Sequence, residues 1–122
     1  MKQTYDTGLS GENTACLYLQ EKLHMTCLEK RWRSKSGEVD LIMADHKTIV
    51  FVEVKTRKTG TPGDGLNAVN YKKQKRIANS ARMYLMINHL LNSPVRFDIV
   101  EVNPGGIIHI PNAFQPGGMF FH

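Results

Sequence analysis

In KTIVFVEVKTR, residues 47 to 57, the run from Ile49 to Val52 is apolar at both strand parities and therefore has no wet face. Such a strand belongs in the middle of a sheet covered on both sides. EVDLIMAD before it reads as a second strand, with Ser36 and Gly37 turning into it and Asp45 and His46 turning out. The preceding MTCLEKRWRSKSG alternates and reads as a strand near a sheet edge. Ahead of it, SGENTACLYLQEKL repeats apolar residues at Ala15, Cys16, Leu19 and Leu23, the spacing of a helix, with Ser10 as its cap.

Downstream, KTGTPGDG at 58 to 65 concentrates loop formers and predicts a mobile connection. LNAVNYKKQKRIANSARMYLMINHLL keeps helical spacing through Val69, Ile77, Ala81 and Leu85 and is the longest predicted helix. Ser93 and Pro94 stop it, and VRFDIVEVN reads as a fourth strand. Pro104, Gly105 and Gly106 lead into a short IIHI segment, and the tail PNAFQPGGMFFH is expected to pack irregularly or fray. The order is helix, three strands, helix, strand. Successive strands imply antiparallel hairpins, and strand-helix-strand implies a parallel crossover. The fold class is thus α/β: a three-layer α/β/α arrangement around a mixed sheet.

At 122 residues the chain supports one domain over 1–122, with a core from about 8 to 114. Hydrophobic residues at 41% and charged residues at 22% fit a globular protein. No apolar run approaches the roughly 20 residues of a membrane span, and the N-terminus lacks the apolar segment of a signal peptide. A cytoplasmic protein with no membrane partner is expected. Cys16 and Cys27 each stand alone, outside any zinc-type spacing, and read as buried free thiols. A formal charge of +5 suits a polyanionic partner.

The chemistry gathers on one strand face. Ile49, Phe51, Glu53, Lys55 and Arg57 share a parity on the third strand, as Glu38, Asp40 and Ile42 do on the second. A hairpin joins the two strands, so Asp40 and Glu53 come near opposition. Paired carboxylates on a sheet repel and need a compensating cation, and an oxygen-only set suits Mg²⁺. The plainer alternative is a cross-strand salt-bridge set of Asp40, Glu53 and Lys55. Glu53 between valines argues against it, because an unpaired charge there is expensive. Glu12 falls on the apolar stripe of the first helix; it faces the site there, or leans out to water as a first-turn acid. Lys30, Arg31, Arg33 and Lys35 form one basic cluster, and Lys72, Lys73, Lys75 and Arg76 another. With Arg57 on the Lys55 face, these are candidates for phosphate contact, or simply solvated faces. Trp32 either stacks on a base or is a half-buried strand residue.

An acid on the first helix, then Asp40, then Glu53-x-Lys55 resembles the PD-(D/E)xK phosphodiesterases, the restriction-endonuclease-like superfamily that includes Holliday-junction resolvases. The longer match is more specific. Gly8, Gly11, Glu12 and Ala15 in G-x-x-G-E-x-x-A, then GEVDLI, FVEVKTR, AVNYKKQKRI, RFDIVEV and HIPNAF, resemble the YraN-type family (UPF0102) from Gly8 to Phe114. That resemblance implies an endonuclease-like fold and a metal-dependent endonuclease acting on nucleic acid, DNA in structured or branched form. Carried over by position, Asp40 and Glu53, with the Val54 carbonyl, hold Mg²⁺ or Mn²⁺; Lys55 is the catalytic lysine and Glu12 the helix acid. Lys73 matches a recurring lysine of the second helix, and reaches the site or stays solvated. A homodimer is expected if junctions are cut, since two strands must be cleaved. The rival reading is a non-catalytic nucleic-acid-binding module that keeps the fold. Val39 stands where the superfamily motif has Pro, and His24 and Arg31 stand where Gly and Asn are expected.

Overall fold

The computed structural model describes residues 7–57 and 69–115. Seven elements follow in order: α1 (Thr7–Leu23), β1 (Thr26–Ser34), β2 (Gly37–Asp45), β3 (Thr48–Thr56), α2 (Tyr71–Ile87), β4 (Val95–Asn103) and β5 (Gly106–Phe114). The five strands form one sheet in sequence order. β3 and β4 are parallel, joined through α2, and every other neighbouring pair is antiparallel.

Strand alternation divides the core into two layers. Ile42, Ile49, Phe51, Phe97 and Ile99 pack against Ile77, Ala78, Ala81, Tyr84 and Leu85 of α2. On the other face, Leu41, Met43, Val50, Val52 and Val100 pack against Ala15, Cys16 and Leu19 of α1. The two-sided run of β3 is therefore central and covered by a helix on each face, as its sequence requires. Phe51, Phe97 and Phe114 stack in a row across β3, β4 and β5, with centroids 5.5 and 5.2 Å apart.

Four expectations need correction. α1 begins at Thr7, so Ser10 lies inside the helix rather than capping it. Cys27 is half-buried, whereas Cys16 is fully buried; both are free thiols. The strand order is longer by one, because Gly106–Phe114 forms a full edge strand that takes in Pro111, Asn112 and Phe114. Pro111 is tolerated because an edge strand need not donate on its outer side. The irregularity foreseen for the tail is a register shift between Phe97 and Ile99, opposite Asn112 with its positive φ of 51°. The predicted loop at 58–65 and residues 116–122 lie outside the described residues.

α2 ends in a Schellman arrangement: the His89 N–H reaches the Met86 carbonyl at 3.3 Å and the Leu90 N–H reaches that of Leu85 at 2.7 Å. His89 holds φ at 58°, and His24, just past the end of α1, has the same φ of 58°. Both are positions where glycine costs least. The Gly expected at 24 thus has a physical reason.

Candidate metal centre

The β2–β3 ladder runs from Asp45↔Thr48 to Leu41↔Val52 and stops there. One more step would pair Asp40 with Glu53, the opposition suggested by the hairpin. Instead the Asp40 carboxylate accepts the Val54 N–H at 2.8 Å. A strand residue presents its N–H and C=O on the same side, so the Val54 carbonyl faces this gap as well.

On the other side of β2 the ladder pairs Lys30↔Leu41 and Trp32↔Val39, leaving Arg31 and Asp40 between them. Arg31 has φ at 52°, a left-handed conformation that Asn adopts more readily than Arg. Its effect is to swap the faces of both strands. Lys30 reaches Asn13 of α1 at 3.2 Å, while Trp32 two residues on packs edge-to-face on Tyr84 of α2, with centroids 5.4 Å apart. Leu41 likewise joins the α1 layer and Val39 the α2 layer. Asp40 sits at the swap, free of both ladders.

Gly11 brings α1 close to the end of β3, since a Cβ there would collide with the Thr56 hydroxyl. The next residue, Glu12, is consequently buried at 7% exposure and not turned to water. Its carboxylate, with those of Glu38 and Asp40, supplies oxygens that all lie within 4.8 Å of one another. Glu53, 5% exposed, is held differently: one oxygen, Oε2, receives Lys73 Nζ at 2.7 Å and Lys55 Nζ at 3.3 Å. Lys73 therefore reaches the site from α2, resolving the alternatives left open for it. Arg31 Nη1 lies 3.3 Å from Glu12 Oε1 and its Nη2 3.8 Å from Glu38 Oε2.

Burial, and then the neighbouring Glu53 carboxylate, push the Asp40 carboxyl up to about 8, against the pull of the Val54 N–H. Burial also raises Glu12, and Arg31 only partly offsets it. Burial and the neighbouring Lys73 hold Lys55 below the usual lysine range. Burial is also the largest single effect on Lys73 and works to lower it, but the bond to Glu53, the contact with Lys55 and the charges of Glu53 and Asp40 together raise it. These acids crowd where their charge is disfavoured, which is the electrostatic condition a bound cation relieves. The donors are all oxygens, the type a hard divalent ion takes; the residues fit such an ion. Gly37, Glu38, Asp40, Glu53, Lys73, Arg76 and Ile77 line an open cleft of about 210 Å³ over the site. That is room for a phosphate and several waters.

Of the basic candidates, Lys73 and Arg76 line the cleft, and Lys72 is exposed nearby on the first turn of α2. Arg33 is exposed and reaches Glu38 at 3.1 Å. The Arg57 N–H bonds the Val102 carbonyl at 2.8 Å, and its Nε is buried with no hydrogen-bond partner among the described residues. Trp32 is a half-buried strand residue against α2.

Two acids of this region carry no role in the sequence reading. Glu38 shares the parity of Asp40, a signal that was available. Glu101 of β4, fully buried, pairs in register with Lys55 and accepts from Asn103 Nδ2 at 2.9 Å.

A second polar network lies beyond the centre. Asp98, fully buried, accepts from His109 Nε2 at 2.8 Å, Arg96 Nε at 3.0 Å and the Asn112 N–H at 2.9 Å. Arg96 Nη1 extends it to Asp45 at 2.9 Å. This network fastens the irregular β5 edge to β4.

Comparison with known proteins bears on the family. A solved structure of SfsA from Pyrococcus furiosus in complex with Ca²⁺ aligns with 89% of this chain and 64% of that chain, at 13% identity and a TM-score of 0.40, too distant to carry an argument. Sequence relatives are much nearer. A UPF0102 protein of Geobacter metallireducens is 41% identical over 88% of this chain and 91% of its own length. UPF0102 proteins of Shewanella sediminis and Clostridioides difficile are 39% and 41% identical over 88% and 89% of this chain, and 90% and 96% of their own lengths. The family model described as "Uncharacterised protein family UPF0102" matches residues 11–102, a span holding Glu12, Arg31, Glu38, Asp40, Glu53, Lys55 and Lys73. The chain belongs to family UPF0102.

Proposed function

We propose that this chain is a metal-dependent endonuclease that hydrolyses phosphodiester bonds of nucleic acid, with structured or branched DNA as its substrate class. The observation that carries the reading is the crowding of Asp40 by the buried Glu53, with Glu12 and Glu38 bringing further oxygens within 4.8 Å of it, below a basic helix start. Structural ion pairing alone gives no reason to crowd these acids, because burying like charges together is costly.

Asp40 and Glu53, with the Val54 carbonyl, would hold Mg²⁺ or Mn²⁺. Such an ion supplies Lewis acidity toward the scissile phosphate and acidifies water. The protein's own groups do the rest. Lys55 orients the attacking water or neutralises charge growing on the phosphate. Glu12, from α1, positions the cluster. Lys73 and Arg76 receive the phosphate entering the cleft, while Lys72, Lys75 and Arg33 track the backbone on either side. The first two turns of α2 carry Lys72, Lys73, Lys75 and Arg76 with no acid in the first turn. Cations at that end oppose the helix dipole, so stability is given up for attraction of an anion.

A second reading, a nucleic-acid-binding module without catalysis, draws on one observation: Glu12 and Glu53 are already partnered by Arg31, Lys55 and Lys73. The two readings separate in one assay. With Mg²⁺ or Mn²⁺, the protein should cut within a panel of branched, flapped and single-stranded DNA and RNA, and Glu53→Ala and Lys55→Ala should not. Salt-sensitive binding indifferent to metal and to Glu53→Ala, with no cleavage, would favour the module. Equal cleavage by the variants would show that the activity lies elsewhere. A cytoplasmic location belongs to this reading, as does a homodimer for a junction substrate. No helix among the described residues is long and apolar enough to cross a membrane.

A further inference from the structure

We infer that Arg31 stands in the place of a second divalent cation, so that the centre takes one metal ion per chain. The inference rests on the metal-dependent reading above and specifies its stoichiometry.

Two cation positions can be drawn from these acids, sharing Asp40. One lies between Asp40 and Glu53; the other among Asp40, Glu38 and Glu12, whose oxygens lie within 4.8 Å of one another. Two-metal phosphodiesterase sites need both, with ions about 4 Å apart. In this chain the second position already has a cation. Arg31 Nη1 lies 3.3 and 3.4 Å from the two Glu12 oxygens, and Nη2 lies 3.8 Å from Glu38 Oε2. A guanidinium cannot shed its proton under ordinary conditions and its planar fork suits two carboxylates at once. A second dication would have to displace it or sit beside a like charge.

The backbone supports the same conclusion. Arg31 holds φ at 52° in a strand whose pairing skips it. A long side chain gains nothing locally from that conformation, and Lys30 and Trp32 on either side are directed to opposite layers. What the distortion accomplishes is delivery of the guanidinium to Glu12 and Glu38. Lys55 and Lys73 do not take this part, since both contact a single oxygen, Glu53 Oε2.

The test is a count of bound metal. The full chain, stripped with chelator, is dialysed to equilibrium against Mn²⁺ and bound Mn²⁺ is measured by elemental analysis and by calorimetric titration. Arg31→Asn and Arg31→Gly are compared with it, because both residues accept the left-handed backbone and both remove the charge. The expected result is one Mn²⁺ in the parent chain and two in each variant, with melting temperatures in Mn²⁺ no lower than the parent's. Two in the parent, or one in both variants, overturns the inference while leaving the metal-dependent reading standing. None in the parent overturns both.

Discussion

The Asp40 carboxylate accepts the Val54 N–H at 2.8 Å, at the step where the β2–β3 ladder gives out. A side chain takes over the bond a backbone carbonyl would have made. Asp40 therefore has a structural task as well as a place beside Glu53, and the two can be separated by substitution. Asn keeps an acceptor for Val54 and removes the charge; Ala removes both.

Asp40→Asn should make the metal-free protein more stable than the parent, because it relieves repulsion with Glu53 and Glu12. Asp40→Ala should be less stable than Asp40→Asn by about 1–2 kcal/mol, the cost of an unsatisfied N–H. Thermal melts with chelator check this. Added Mg²⁺ should raise the parent's melting temperature and leave that of Asp40→Asn in place.

Acid stability should depend on Asp98. Burial alone would raise its carboxyl, but His109, Arg96 and the Asn112 N–H outweigh that and hold it below the usual carboxylate range. A depressed native pKa stabilises the fold above the unfolded value of about 3.9, and the gain is lost as pH falls toward the native value. Asp98→Asn should therefore cost stability at pH 7 and lose less than the parent between pH 5 and 2. Asp98→Ala, which strands buried donors, should cost about 3 kcal/mol at neutral pH. Denaturant titrations across that range measure both.

His24→Gly and His89→Gly should each stabilise the protein by about 1 kcal/mol, by removing a Cβ from a left-handed position. The two sites lie at the ends of different helices, so the double variant should add the two effects. Equilibrium unfolding in urea decides it; a loss at either site would mean that the imidazole makes a compensating contact.

Much of this was readable in advance, for identifiable reasons. The two-sided run Ile49–Val52 announces a central strand, and parity puts Glu53 and Lys55 on one face of it. Hairpin geometry brought Asp40 to Glu53. Other features depended on backbone conformations that residue type disguises. Arg31 reads as a phosphate-binding residue of a basic cluster, and only its left-handed φ of 52° turns it inward to Glu12. The tail from Pro111 reads as irregular, and in the fold it continues β5, where Asp98 of β4 accepts from His109 and from the Asn112 N–H beside the backbone ladder. Glu38 carries the same signal as Asp40, a place two residues away on one strand, and it joins the cluster in the fold.

The most direct measurement of the central claim is single-turnover cleavage of a labelled DNA substrate chosen from the panel, by the parent chain and Asp40→Asn, each with Mg²⁺ and with chelator. Asp40→Asn is the stringent control because it preserves the Val54 bond. Cleavage by the parent with Mg²⁺ alone, falling at least about 100-fold in Asp40→Asn, is the expected result. Cleavage that persists in chelator, or that Asp40→Asn supports as well as the parent, would contradict the assignment of a metal-dependent nuclease to this site.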